Sequence, residues 1–121
     1  MAFLKDGQFV SHSGRTLPFK INCDALSDED IETLASIIAR KFSFSKVYGI
    51  PQGGIRIAKV LEKYLSPNGQ TLIVDDVLIT GKSMKEAKEK IGGDPIGVVI
   101  FARGFYPMWV WPIFVLSKWA D

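Results

Sequence analysis

The segment from Thr71 to Met84 constrains the fold more than any other part of this chain, because an apolar run leads directly into two acids and a glycine turn. Leu72 to Val74 is apolar at successive positions, which is typical of a strand covered on both faces by helices. Asp75 and Asp76 follow at the predicted carboxyl end of that strand, the edge at which parallel sheets bind ligands. The segment therefore predicts an α/β fold with a polar site at one sheet edge.

The turn after the acids has the composition of a phosphate site. Thr80 and Ser83 supply hydroxyl groups, and the backbone N–H groups of Gly81 to Ser83 lie where the next helix is predicted to begin. Unpaired N–H groups and the helix dipole both favour an anion there. We expect this turn to hold a phosphate while the acids accept hydrogen bonds from sugar hydroxyls. Lys82 either adds positive charge to the phosphate or points into solvent.

A second glycine turn precedes this segment by one strand and one helix. Val47 to Ile50 leads into Pro51, and the turn itself contains Gln52, Gly53 and Gly54. Glycines let backbone N–H groups approach an anion closely. Such a turn either binds a second anion or only connects a strand to a helix, and its place before the acid segment favours anion binding.

Strands and helices are predicted to alternate through the middle of the chain, which indicates a parallel sheet with right-handed crossovers. Ser27, with Asp30 three residues later, predicts the start of the first helix. Inward positions are predicted at helical spacing: Ile31, Leu34, Ala35, Ile38 and Phe42 in the first helix, Ile55, Ala58, Leu61 and Leu65 in the second, and Met84, Ala87 and Ile91 in the third. Strands are predicted at Lys46 to Ile50 and Ile96 to Phe101.

The two ends of the chain differ from the middle. Residues 1–24 are predicted to form a small hairpin or flap outside the main sheet. The aromatic tail, Phe105 to Phe114, either completes the core as a last strand or forms a subunit interface.

Composition limits the function classes. The 121 residues suffice for one domain, and a formal charge of +2 without a basic stripe gives no reason to expect nucleic acid. The longest apolar stretch, Trp109 to Leu116, is too short to span a membrane. The start lacks a signal-like apolar run and Cys23 has no partner for an internal disulfide, so we expect a cytoplasmic protein in which Cys23 is structural. His12 is the only histidine, which excludes a multi-histidine metal site.

Three segments together resemble the type I phosphoribosyltransferases. The strand, acid pair and Thr80-Gly81-Lys82-Ser83 turn resemble the motif of that family for phosphoribosyl pyrophosphate (PRPP), and Gly49-Ile50-Pro51-Gln52-Gly53-Gly54 resembles its pyrophosphate turn. Phe9 to Phe19 is similar to the hood segment over the base in orotate phosphoribosyltransferase. Phe101-Ala102-Arg103-Gly104 resembles the strand end whose Arg contacts the base.

The resemblance implies a parallel β-sheet flanked by helices in a single domain, 1–121, with a hood at 1–24 and a core at 25–121. It implies that the chain binds Mg²⁺ and PRPP and transfers the phosphoribosyl group to a nitrogenous base. The implied catalytic residues are Asp75, Asp76 and Arg103. The implied PRPP ligands are Gln52, Gly53, Gly54, Asp75, Asp76, Thr80, Gly81, Lys82 and Ser83, with Mg²⁺ held by Asp75 and Asp76 mainly through water. The implied acceptor ligands are His12, Arg15, Lys20 and Arg103.

The chain departs from the orotate enzymes at three places. His12 replaces the hood Lys that reaches pyrophosphate, and Lys20-Ile21 stands where aromatic residues stack on orotate. Only Ser66 to Gln70 occupies the place of a strand and a mobile catalytic loop. The acceptor base therefore stays open, and a sensor that binds PRPP or a nucleotide without turnover is the alternative. A homodimer is expected, in which a neighbouring subunit can supply Lys or Arg to the site.

Overall fold

The computed structural model of the chain describes residues 4–10, 16–21 and 23–116. Strands β1 (Leu4–Val10) and β2 (Thr16–Ile21) pair antiparallel as a two-stranded sheet separate from the main one. The predicted N-terminal hairpin outside the main sheet is thereby confirmed. His12 and Arg15 lie outside the described residues, and for Lys20 only the backbone is described, opposite Lys5.

The main sheet has four parallel strands in the order β3-β4-β5-β6, which confirms the predicted α/β architecture. The strands are β3 (Phe44–Gly49), β4 (Gln70–Leu78), β5 (Ile96–Arg103) and β6 (Val110–Leu116). Three helices flank the sheet: α1 (Asp28–Lys41), α2 (Ile55–Leu61) and α3 (Lys82–Ile91). Because parallel strands share one carboxyl edge, the ends of β3, β4 and β5 meet there.

Helix α1 begins where its local chemistry predicts. The Ser27 hydroxyl accepts from the Asp30 N–H at 3.0 Å, and the Asp30 carboxylate accepts from the Ser27 N–H at 3.0 Å. This reciprocal pair satisfies two of the N–H groups that a helix start leaves without partners. Four of the five predicted inward residues of the first helix are buried: Ile31, Leu34, Ala35 and Ile38. The fifth, Phe42, is the C-cap residue and is half-buried.

The core has one layer on each face of the sheet. Helices α1 and α2 cover one face over Leu72, Val74, Val98 and Ile100. Met84 and Ala87 of α3 cover the other face over Ile73 and Val99. Burial on both faces accounts for the continuous apolar runs in β4 and β5.

Three predicted core positions are wrong, because Ile55, Leu65 and Ile91 are exposed. Ile55 is the first residue of α2, and α2 ends at Leu61, so Leu65 lies beyond the helical repeat that predicted it. Ile91 is the last residue of α3. The periodic pattern identified the helices correctly, but it also assigned to the core residues at or beyond the helix ends, where the side chains are exposed.

The connection between the neighbouring parallel strands β5 and β6 contains no helix. Only the segment from Gly104 to Trp109 joins these parallel strands, whereas such crossovers usually need about a dozen residues. The Gly97 N–H donates to the Trp109 carbonyl at 3.0 Å, and a Cβ at Gly97 would lie 2.6 Å from Trp109 Cζ3. The Trp109 ring therefore takes the space of a side chain on β5.

The aromatic tail does form a last strand, as one of its two interpretations predicted. Trp111 on β6 packs edge-to-face on Phe42, with 5.5 Å between ring centroids. Phe105, in the connection before β6, is 83% exposed, so some apolar side chains of the tail are not buried by formation of the last strand. Across the described residues, no helix combines the length and apolar character needed to cross a membrane.

Candidate functional site

The two acids lie within strand β4 and not after it. The prediction ended the strand at Val74, but β4 continues to Leu78 because Val77 and Leu78 still pair with β5. Asp75 is only 9% exposed, and its Oδ1 accepts from the Asp76 N–H at 2.8 Å. Asp76 is half-buried, and its Oδ1 accepts from the Val77 N–H at 2.7 Å. Both carboxylates are thus held in place by backbone donors.

The electrostatics of the two acids differ. The pKa of Asp75 is raised from its ordinary 3.8 to about 8, first by burial and then by the side-chain hydrogen bond and the negative charge of the neighbouring Asp76. The backbone hydrogen bond from Asp76 acts in the opposite direction. Near neutral pH Asp75 is therefore mainly protonated, and it can donate as well as accept a hydrogen bond.

The glycine turn after β3 packs directly against the acid pair. A Cβ at Gly53 would overlap the Oδ2, Cγ and Oδ1 atoms of Asp76, so the carboxylate lies against the Gly53 backbone. A Cβ at Gly54 would overlap the Val74 carbonyl oxygen, which accepts from the Ile50 N–H at 2.9 Å. Glycine is therefore required at Gly54, where the near atoms are backbone, and a side chain at Gly53 would displace either the turn or the Asp76 carboxylate. Gln52 and Gly53 are exposed, and the Pro51–Gln52 peptide bond is cis.

The predicted phosphate turn lies at the start of α3. Gly81 is the N-cap residue, with φ 80° and ψ 5°, and no side chain caps this helix. The Thr80 hydroxyl accepts from the Lys82 N–H at 3.3 Å. Thr80, Lys82 and Ser83 are exposed. The helix start is thus open to a ligand, and the left-handed backbone at Gly81 turns the chain from the acids into α3.

Replacing Gly81 with alanine should lower the free energy of unfolding by about 1–2 kcal/mol, because a Cβ is unfavourable in left-handed backbone. A Cβ would meet nothing closer than Leu78 Cδ1 at 3.9 Å, so the effect is one of backbone conformation. Gly92→Ala is the control for backbone strain away from the turn, since Gly92 also has a positive φ, 74°, and open space at the other end of α3.

Urea unfolding should show a loss for both variants, larger for Gly92→Ala because ψ −173° places Gly92 in a region that is essentially restricted to glycine. Calorimetry with ribose 5-phosphate should show weaker binding for Gly81→Ala alone. Equal affinities in the two variants would contradict a phosphate site at this turn.

Solved structures share this arrangement of sheet, helices and turns. The orotate phosphoribosyltransferase of Aeropyrum pernix is 27% identical with a TM-score of 0.62, over 84% of this chain and 77% of that one. The chain has the fold of a type I phosphoribosyltransferase. The Mycobacterium tuberculosis orotate phosphoribosyltransferase is 14% identical with a TM-score of 0.63, over 93% of this chain and 89% of that one. A purine phosphoribosyltransferase of Pyrococcus horikoshii is 17% identical with a TM-score of 0.59, over 79% and 92%.

Neither family models nor curated proteins yield a match to this chain. The evidence for the type I phosphoribosyltransferase fold is the similarity to solved structures, together with the order of strands and helices along the chain. The two neighbours at 14% and 17% identity support the fold alone.

Arg103 lies at the same sheet edge as the acids in this phosphoribosyltransferase fold. It is the last residue of β5, one position after Ala102, which pairs with Leu78 at the end of β4. Its side chain is only 4% exposed. Contact between Arg103 and an acceptor base stays a prediction, as do the roles of His12, Arg15 and Lys20.

Cys23 lies close enough to the acid pair to be affected by its charge, which the sequence did not predict. Burial raises the pKa of its thiol to about 12, and the negative charges of Asp76, Asp24 and Asp75 contribute in that order. The thiol is therefore protonated at physiological pH, as expected of a structural cysteine. The short 3₁₀ turn Cys23–Ala25 thus brings the end of the hood segment beside the acids.

Mg²⁺ fits this site only together with a phosphorylated ligand. Within residues 23–116, no three His, Cys, Asp or Glu side chains are grouped so that they could hold a metal ion. Mg²⁺ retains several waters and binds through one or two carboxylates plus substrate phosphates. Asp76 supplies such a carboxylate against the Gly53 backbone, and Asp75 supplies a second one when it releases its proton.

Proposed function

We propose that this protein binds PRPP with Mg²⁺ and transfers its phosphoribosyl group to a nitrogenous base, with release of pyrophosphate. The observation that carries the proposal is the packing of the Asp76 carboxylate against Gly53. It joins the acid pair and the pyrophosphate turn in one site, on the carboxyl edge from which the Thr80 to Ser83 turn also starts. The 27% identical Aeropyrum pernix enzyme supports the same class of reaction.

In the proposed reaction the bond from C1 of the ribose to the pyrophosphate oxygen breaks, and a bond from C1 to a nitrogen of the base forms. Pyrophosphate leaves with the electron pair, and the base releases its proton to solvent. Mg²⁺, when bound, offsets the negative charge of the diphosphate. The protein contributes mainly by positioning the reactants and stabilising the departing anion.

Each turn of the site has one task in this proposal. The Thr80 to Ser83 turn holds the 5-phosphate, and the Gln52 to Gly54 turn holds the pyrophosphate. Asp76 and Asp75 bind ribose hydroxyls. Asp76 accepts hydrogen bonds, and the protonated Asp75 can accept or donate them. Arg103 and the hood residues His12, Arg15 and Lys20 contact the acceptor base.

A sensor that binds PRPP or a nucleotide without turnover is the second candidate. The specific observation in its favour is the short connection before β4, where only Leu65 to Gly69 separates the 3₁₀ turn Glu62–Tyr64 from Gln70. A connection of this length cannot supply a mobile loop that covers the pyrophosphate. Water in the site weakens oriented charges, which disfavours catalysis more than binding.

Calorimetry and product analysis test the two candidates together. PRPP should bind in the presence of Mg²⁺, and at one hundred times its dissociation constant it should stabilise the fold by about 2.7 kcal/mol. Pyrophosphate release on addition of a base identifies an enzyme, and binding without release identifies a sensor. Because the connection before β4 is too short to form a lid, orotate turnover should be well below one per second. Absence of Mg²⁺-dependent PRPP binding up to millimolar concentration would refute both candidates.

We also propose a cytoplasmic homodimer. The exposed Phe105 and Met108 of the β5–β6 crossover give an apolar surface that a second copy can cover. Light scattering at micromolar concentration tests the pairing, and a strict monomer would exclude a site completed by a neighbouring subunit.

A further inference from the structure

A cavity of about 590 Å³ opens near the edge at which the strands of the main sheet begin, opposite the edge of the acid pair. Helix α3 packs on Ile73 and Val99 of β4 and β5, and the cavity lies beside it, over the edge strand β3. Its volume is in the range of small-molecule sites. We call it the amino-edge cavity, and six of its lining residues carry its chemistry: Lys46, Tyr48, Thr71, Ile91, Asp94 and Pro95.

The amino-edge cavity presents one charge of each sign. Lys46 lies opposite Thr71 in the pairing of β3 with β4. Gln70, one residue before Thr71, donates from Nε2 to the Asp94 carbonyl oxygen at 2.6 Å. Lys46 and Asp94 therefore lie on the two sides of the start of β4. In the part of the chain from 23 to 116, neither of these charged side chains takes part in an ion pair.

The end of α3 adds negative potential on the Asp94 side of the cavity. Ile91 is the last residue of this helix, and the Gly92 N–H donates to the Lys88 carbonyl at 2.9 Å. The other carbonyl groups of a last helical turn lack partners within the helix, and the helix dipole is negative there. Lys90, a cation of the same turn, does not line the cavity. The cavity thus favours a cation beside Asp94 and an anion beside Lys46.

The cavity also has an apolar side. Tyr48 lies on the same face of β3 as Lys46, because both alternate with Val47, which packs toward α1 and α2. The Tyr48 side chain is 40% exposed, and Ile91 at the cavity wall is 38% exposed. Pro95 completes the apolar lining and is buried. An exposed aromatic ring next to aliphatic side chains suits a ligand that carries a ring of its own.

We propose that the amino-edge cavity binds an aromatic α-amino acid in its zwitterionic form. The ligand carboxylate pairs with Lys46, its ammonium group pairs with Asp94 at the end of α3, and its ring packs on Tyr48. The site is independent of the proposed function, because none of its residues belongs to the proposed PRPP site. Both charged side chains are exposed, so each pairing is weak by itself and we expect a dissociation constant in the millimolar range.

Phenylalanine is the probe for this site, and the amide NMR signals of the isotope-labelled chain report where it binds. The signals of Gly92, Gly93 and Asp94 should shift, and those of the Thr80 to Ser83 turn should not. Three matched ligands each lack one feature: phenylpropionate lacks the ammonium group, phenethylamine lacks the carboxylate, and glycine lacks the ring. Each should bind about 3- to 10-fold more weakly than phenylalanine.

Two variants assign the charges. Lys46→Met should weaken phenylalanine and phenylpropionate by about 3- to 10-fold and leave phenethylamine unchanged. Asp94→Asn should weaken phenylalanine and phenethylamine and leave phenylpropionate unchanged. Lys59→Met and Glu29→Gln are the matched controls, because they change the net charge equally at exposed positions on α2 and α1, which cover the other face of the sheet. Both controls should bind phenylalanine as the wild-type chain does.

The inference fails if phenylalanine at millimolar concentration shifts none of the cavity signals. It also fails if Lys46→Met and Asp94→Asn bind all three ring ligands as the controls do, since the two charges would then have no part in binding. Calorimetry with PRPP and Mg²⁺ keeps this result separate from the proposed function. Lys46→Met should bind PRPP as the wild-type chain does, so that failure at one site leaves the other proposal standing.

Discussion

Replacing Gly53 with alanine should weaken PRPP binding by about 10- to 100-fold, which corresponds to about 1.4–2.8 kcal/mol of binding free energy. A Cβ at this position would overlap three atoms of the Asp76 carboxylate, so either the turn or the acid must move. Gly53 is not among the glycines with positive φ, so alanine adds no backbone strain. Ribose 5-phosphate lacks the pyrophosphate and should lose much less. Calorimetry with both ligands measures the difference.

A double variant separates the overlap from other effects of the added methyl group. Asp76→Ala removes the carboxylate with which the new Cβ would overlap. The combined Gly53→Ala and Asp76→Ala chain should therefore be more stable than the sum of the single changes predicts, as expected for residues in contact. Urea unfolding gives the four free energies. Additive losses would show that the new Cβ does not meet the Asp76 carboxylate. Equal weakening of both ligands by Gly53→Ala would show that the turn does not bind the pyrophosphate.

The sequence predicted those parts of the fold that depend on local chemistry. The capping pair Ser27 and Asp30 and the apolar run Leu72 to Val74 each carry enough information to locate an element. The end of β4 was predicted wrongly because two acids in succession are typical of a solvated turn. In the folded chain, pairing of Val77 and Leu78 with β5 extends the strand past them.

The sequence predicted candidate residues for the site but not the contacts between them. The two glycine turns were each recognisable from spacing, whereas the packing of Asp76 on Gly53 depends on how β3 and β4 pair. The raised pKa of Asp75 follows first from burial of its carboxyl group, which no local sequence pattern reports. The crossover from Gly104 to Trp109 was missed for the same reason, since its course depends on Trp109 filling the space at Gly97.

The buried acid pair should make the protein less stable as the pH rises. The pKa of Asp75 is about 8 in the folded chain against an ordinary 3.8, so between these values the folded state holds a proton that the unfolded state has lost. The free energy of unfolding therefore falls across that interval, by at most about 1.4 kcal/mol per pH unit from this group. Below pH 4 or so both states are protonated, and well above pH 8 both are ionised, so the contribution is constant outside the interval.

Asp75→Asn should remove this part of the pH dependence and stabilise the chain by about 2 kcal/mol or more at pH 8. The amide keeps an oxygen that can accept from the Asp76 N–H, so the variant changes charge with little change in shape. Urea unfolding at pH 5, 6.5 and 8 measures the effect, with Glu89→Gln as an exposed control that should keep the wild-type slope. The difference in stability between Asp75→Asn and the wild-type chain must grow with pH, because only the wild-type chain has to release the proton. A constant difference would mean that Asp75 is ionised in the folded protein, and the site would then present two negative charges to its ligand.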